Sequence, residues 1–150
     1  MDKLEFKKNL YNICLKHQND VITNLKDLIA DVQQMANEYG APKDRYDSYR
    51  MQLSGKRDMY VVQHEKAVAE LEILKKIDIS KINKEISFGS VVITKDQKLF
   101  ISISLGKISF ENETYFAISV KVPFYEVIKG KKKGDVFVFN GKQNQIIEIF

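Results

Sequence analysis

Few residues of this chain could carry chemistry, and their spacing narrows the options further. Two His (His17, His64) and one Cys (Cys14) supply neither a zinc site nor a nucleophile–base–acid set. Ser90 and Ser119 are scattered, and no Gly-rich phosphate loop is present. What remains is charge at two turns. The first is Gly40-Ala41-Pro42-Lys43-Asp44-Arg45-Tyr46-Asp47, where two carboxylates stand three residues apart among bases. Over 41–57, Lys43, Arg45, Arg50, Lys56 and Arg57 outnumber Asp44 and Asp47, a balance that attracts phosphates or a partner's carboxylates rather than Mg²⁺. The plainer reading of the aspartates is helix capping: Asp44 caps the following helix, with Asp47 in a capping-box-like position. The second turn, Lys129-Gly130-Lys131-Lys132-Lys133, reads most simply as a solvated basic loop. These features argue against a stand-alone enzyme and for a protein that binds.

The elements that position the first turn are helices. Residues 3–39 hold no Pro and no Gly. Leu4, Tyr11, Leu15, Ile22, Leu25, Ile29, Val32, Ala36 and Tyr39 follow 3- and 4-residue steps, with Lys8 and Gln18 in the missing places, which is a coiled-coil seam. Gly40 ends that helix and Pro42 cannot continue it. A second run to about Asp78 repeats the rhythm with Tyr46, Tyr49, Leu53, Tyr60, Ala67, Leu74 and Ile77. Its tyrosines are expected to pack in the seam. Gly55 inside it costs roughly 1 kcal/mol relative to Ala. Residues 1–80 are therefore expected to form a long antiparallel hairpin with its tip at about 40–47.

From 87 onward the texture is β-rich, after a linker at 81–86. Strands are expected over 91–94, 99–105, 115–120, 136–139 and 145–150, with a short helix over 123–128 closed by Gly130. Asn140-Gly141 marks a tight hairpin turn. The fold class is α+β: a helical hairpin joined to a small antiparallel sheet with one short helix.

The 150 residues are 44% hydrophobic and 29% charged, the balance of a folded soluble protein. No apolar run approaches a membrane span and no signal peptide opens the sequence. The single Cys14 suits a reducing cytoplasm. The formal charge of +4 arises after residue 80, where 11 Lys face 7 acids.

Three blocks, taken in order, resemble the C-terminal domain of the Gre transcript-cleavage and elongation factors of bacteria. They are Phe88-Gly89-Ser90-Val91-Val92, Ile118-Ser119-Val120-Lys121-Val122-Pro123, and Ile128-Lys129-Gly130-Lys131-Lys132-Lys133-Gly134-Asp135-Val136. Glu38-Tyr39-Gly40-Ala41-Pro42-Lys43-Asp44 falls where that family carries its hairpin tip. The resemblance covers essentially the whole chain. It implies an FKBP-like C-terminal domain without isomerase activity, and bacterial RNA polymerase as the partner. The globular domain would dock at the rim of the secondary channel through Pro123, Phe124 and Lys121. The hairpin would enter the channel and bring its tip near the RNA 3′ end.

In the family, two acidic tip residues three positions apart help hold a catalytic Mg²⁺ of the polymerase. Here those positions are Ala41 and Asp44, and Ala41 cannot ligate a metal. Asp44 becomes the one candidate shared Mg²⁺ ligand, with Asp47 as helper and Lys43 and Arg45 facing channel or transcript. Val122 replaces a Ser common before the docking Pro. The resemblance thus implies polymerase binding with cleavage stimulation put in doubt, and no metal or cofactor in the free, monomeric protein. The alternative is a coiled-coil adaptor that binds another protein or self-associates into a bundle.

Overall fold

The structure, a computed structural model, describes residues 2–150. The element order is α1 (Lys3–Tyr39), α2 (Ser48–Leu74), β1 (Val91–Thr94), β2 (Lys98–Ser102), β3 (Gly106–Phe110), β4 (Glu113–Ser119), α3 (Pro123–Ile128), β5 (Val136–Phe139) and β6 (Lys142–Ile149). The fold is α+β, a long helical hairpin and a six-stranded sheet. Two compact units divide the chain: one joins the chain up to Lys16 with Ile73–Phe150, the other is His17–Glu72.

In the sheet-bearing unit the strand order is β3-β4-β2-β1-β6-β5. Successive residues of β1 and β2 point to opposite faces, and both faces are covered. Val91, Phe100, Ile108, Tyr115 and Ala117 pack with Leu10, Cys14 and Leu74 of the helices and with Ile77, which follows α2. Val92, Leu99, Ile101 and Ile146 pack with Tyr125 and Ile128 of α3 and with Ile86. Each fully buried aliphatic side chain contributes about 1.5–3 kcal/mol. Phe6 stands edge-on to Phe110 and Phe150 at centroid distances of 4.9 and 5.7 Å.

Three features of this unit differ from the sequence expectation. First, β2 and β4 run parallel, so the sheet is mixed rather than wholly antiparallel. Second, the apolar run at 99–105 stops as strand at Ser102, and a further strand, β3, begins at Gly106. β3 is an edge strand in which only Ile108 is buried, so its hydrophobic signal is thin. It returns into β4 through Glu111-Asn112, both at positive φ (51° and 63°), the geometry of a tight hairpin turn. Third, the seam of α1 changes phase at its start. Lys7, Leu10 and Cys14 are fully buried, whereas Leu4, Tyr11 and Leu15 are only partly so. There the helix packs on a sheet, and a flat surface selects a different stripe from a partner helix. Lys7 Nζ donates to the Lys81 carbonyl at 2.7 Å. Helix α2 ends at Leu74, short of Asp78.

The expected short helix, α3, is found at Pro123–Ile128, and Asn140-Gly141 forms the turn between β5 and β6. Residues 81–86 are stitched down: Ile86 N donates to Lys131 O and Gly130 N to Ile86 O, both at 2.8 Å.

In the His17–Glu72 unit the hairpin seam buries Ile22, Leu25, Val32 and Ala36 of α1 and Leu53, Ala67 and Leu71 of α2. Gln18, one of the polar interruptions, is 4% exposed and donates Nε2 to the Ala67 carbonyl at 2.8 Å, so the seam tolerates it. Tyr46 and Tyr49 are not seam residues; they are 78% and 44% exposed, because the helix begins only at Ser48. Tyr60 does pack against Val32, Ala36 and Leu53. Gly55 sits in uninterrupted helix.

Candidate functional site at the hairpin turn

Gly40 adopts φ +87°, and its N–H closes on the Ala36 carbonyl at 3.0 Å, a left-handed helix stop that glycine makes cheaply. Residues 41–46 are then all exposed. Asp47 organises the loop and the start of α2. Its Oδ1 accepts from the Arg50 N–H at 3.2 Å, the bond of an N-cap to the third helical residue. Its Oδ2 accepts from the Tyr39 hydroxyl at 2.7 Å and from the Lys43 N–H at 2.9 Å. The Lys43 N–H and then the Tyr39 hydroxyl hold the Asp47 carboxyl below its ordinary range, and the same bond pushes the Tyr39 hydroxyl up.

The cap therefore falls three residues later than expected: Asp47, not Asp44, caps α2. Asp44 instead accepts the Tyr46 N–H on Oδ1 at 2.7 Å, a local turn. The loop's four chemically interesting side chains divide accordingly. Asp47 is half-buried and engaged by three donors. Asp44, Lys43 and Arg45 are exposed. Lys43 stands over the Tyr39 ring and Arg45 over the Tyr46 ring, at 5.4 and 5.7 Å. Tyr39 and Tyr49 meet edge-on at 4.8 Å. A groove of about 600 Å³ runs beside the turn, lined by Asp44, Arg45, Asp47, Arg50, Ser54 and Asp58 among others. Arg50 Nη1 is buried there without a hydrogen-bond partner.

This donor set does not suit a Mg²⁺ held by the chain alone. Hard cations need several oxygens, and Asp47 has already committed both of its own. Among the described residues no three His, Cys, Asp or Glu come together as a metal cluster. The Tyr39–Asp47 latch leaves no trace in the sequence, because an eight-residue separation across a loop carries no periodic signal.

The residues expected to dock lie in the sheet-bearing unit. Pro123 is exposed at the first position of α3, after Val122 in extended geometry. Lys121 is exposed, and its N–H donates to Ser119 Oγ at 3.0 Å. Phe124 turns inward, edge-on to Phe137 at 5.7 Å and Phe139 at 4.9 Å. The basic turn is shaped by Gly130 and Gly134 at positive φ, with Asp135 Oδ2 accepting the Lys132 N–H at 2.8 Å. Among the described residues no helix is long and apolar enough to cross a membrane.

No protein-family model matches the sequence, and no curated protein does. A solved structure described as that of the transcription factor Gfh1 is similar over 90% of this chain and 92% of that one, at 16% identity and a TM-score of 0.35. That likeness is distant, and no residue role is transferred on it.

Proposed function

We propose that the chain is a Gre-like factor that binds bacterial RNA polymerase, places the 40–47 turn in the secondary channel, and modulates elongation without stimulating transcript cleavage. It performs no reaction of its own. The observation that carries this reading is the division of labour between the two aspartates. Asp47 is spent on holding the turn, and Ala41 has no carboxylate, so Asp44 alone presents an acid outward. Around it Lys43 and Arg45 face solvent. Such a tip is attracted to phosphates of the transcript or to carboxylates of the polymerase, and recruits a second metal poorly. The order of the three sequence blocks in the sheet-bearing unit supports the same reading, with Pro123 and Lys121 as exposed docking residues.

The test is a cleavage assay on backtracked elongation complexes. The native chain is expected to leave the transcript intact, and Ala41→Asp to give measurable cleavage that rises with Mg²⁺. Strong cleavage by the native chain, or none by Ala41→Asp at any Mg²⁺ concentration despite binding, would overturn the assignment of the tip. The exposed apolar residues of the hairpin favour a second reading, an adaptor whose helices bind protein.

A further inference from the structure

The two edges of the sheet are not alike. Strand β3 closes one edge and β5 the other. β3 carries Gly106, Lys107 and Ser109 at exposed positions, where Gly weakens a strand and Lys discourages a further one from pairing. β5 reads Val136-Phe137-Val138-Phe139, with no charge and no Gly or Pro in it. Its pairing with β6 shows which backbone groups stay open. The Ile146 N–H donates to the Asp135 carbonyl at 2.9 Å, and along an antiparallel pair every second residue faces its neighbour. Phe137 and Phe139 therefore turn their N–H and C=O groups toward β6, opposite Asn144 and Lys142. Val136 and Val138 turn theirs to the free edge, and among the described residues no backbone hydrogen bond reaches them there. Their side chains are 43% and 58% exposed, and Ile147 of β6 is 43% exposed.

The chain around this edge is basic. Over 129–142, five lysines stand against Asp135 alone. Lys132 and Lys133 are exposed just before the strand begins. The acids nearby are already engaged: Glu126 with Lys129, Asp96 with Lys142, and Asp135 with the Lys132 N–H. Glu85, bridged to Lys132 through the backbone, is preceded by Lys84. A row of open backbone groups is matched by another extended backbone, which offers the same groups at the same spacing. The charges then select among extended chains. A second β5 added about a two-fold axis would lay residues 131–133 of each copy toward Lys142 of the other, so like charges oppose that occupant. An acidic strand meets no such opposition.

We propose that β5 accepts an extended acidic segment of a partner protein as a further strand of the sheet. Running antiparallel, the segment exchanges both main-chain bonds with Val136 and both with Val138. Its residues opposite those valines share their face of the sheet, where the exposed Val136 and Val138 favour apolar, β-branched side chains. The residues that follow, toward the segment's C-terminus, come alongside the turn at 131–133 and are acidic. Two residue pairs and a few screened charges make a weak contact, with a Kd of about 100 µM that rises with salt. The inference rests on the sheet-bearing unit alone and is independent of the polymerase reading.

The probe is a fluorescein-labelled peptide, Thr-Val-Thr-Val-Thr-Gly-Asp-Glu-Asp, titrated into the full chain and followed by fluorescence polarisation and amide NMR. Saturable binding near about 100 µM is expected, with the largest shifts and slowed exchange at the Val136 and Val138 N–H groups. N-methylation of the peptide's two valine nitrogens should weaken binding at least about tenfold. Val138→Pro should do the same, since the N–H it removes faces the open edge. The methylated peptide probes those bonds without altering the protein, so the result stands even if that variant misfolds. Lys132→Glu with Lys133→Glu should weaken binding about tenfold. No binding at about 1 mM, equal binding of the methylated peptide, or unchanged affinity after the charge reversal would overturn the proposal. So would a single-stranded RNA oligonucleotide that perturbs residues 131–133 while the peptide leaves Val136 and Val138 unmoved, which would assign the turn to nucleic acid.

Discussion

The Tyr39 hydroxyl donates to Asp47 Oδ2 at 2.7 Å, tying the last residue of α1 to the residue that caps α2. With the Lys43 and Arg50 N–H groups on the same carboxylate, one side chain holds both ends and the middle of the turn. The exposed loop is therefore presented in a set shape rather than as loose chain.

Asp47→Ala should loosen the turn without unfolding the protein. Amide exchange at Lys43 and Arg50 should accelerate, and Tyr39→Phe should give a smaller acceleration at Lys43 alone. The pH dependence has a definite sign. The Asp47 pKa is depressed in the fold, so its contribution is present above the ordinary carboxylate range and is lost as pH falls through the depressed value. Protection of the Lys43 N–H, measured against the free-peptide rate at each pH, should fall on acidification, and that loss should be absent in Asp47→Asn.

Lys7 and Cys14 should pull stability in opposite directions in alkali. Burial pushes the Lys7 ammonium down to about 8 against 10.5 and the Cys14 thiol up to about 12 against 9.0. Between pH 8 and 10.5 the unfolded chain binds more protons at Lys7, so stability rises with pH. Above pH 9 the unfolded chain loses the Cys14 proton first, so stability falls. Lys7→Met should remove a rise of about 1–2 kcal/mol, the full linkage value being offset by the Lys81 carbonyl and by solvent. Cys14→Ala should remove part of the later fall. Urea midpoints from pH 7 to 11 check both.

Gly89→Ala should cost about 1–3 kcal/mol. Its φ is +91°, and an added Cβ would meet Ile77 Cγ2 at 3.1 Å. Ile77→Leu, which has no Cγ2 methyl, in the same background should recover only the crowding part, leaving the backbone strain. Thermal denaturation of the single and double variants separates the two.

The helices are legible in the sequence because their period is local: absence of Pro and Gly over 3–39, then Gly40 and Pro42, mark the first helix and its stop. The β5–β6 hairpin is legible through Asn140-Gly141. Strand β3 is not, since an edge strand with one buried residue resembles a loop. The parallel β2–β4 pair is not, since pairing direction is decided by non-local topology. At the site, the turn and its exposed Lys43, Asp44 and Arg45 are readable, but the choice of Asp47 over Asp44 as cap goes with Tyr39 reaching across the loop. Phe124 reads as a docking residue from its neighbour Pro123, yet the Phe137 and Phe139 rings that draw it inward lie more than ten residues away in sequence.

The charge of the loop should matter more than its one free-standing acid. Lys43→Glu with Arg45→Glu should weaken polymerase binding markedly, whereas Asp44→Ala should leave it nearly unchanged, with only local loosening at Tyr46. A loss of affinity in Asp44→Ala comparable to the charge reversal would mean that the turn's shape, not its charge, is recognised.

The most direct measurement is equilibrium binding of the fluorescently labelled chain to bacterial RNA polymerase core, with subsequent titration by an unlabelled Gre factor. Saturable binding that the Gre factor displaces completely is the predicted result. Absence of binding, or binding that the Gre factor leaves undisturbed, would contradict the secondary channel as the destination of the 40–47 turn.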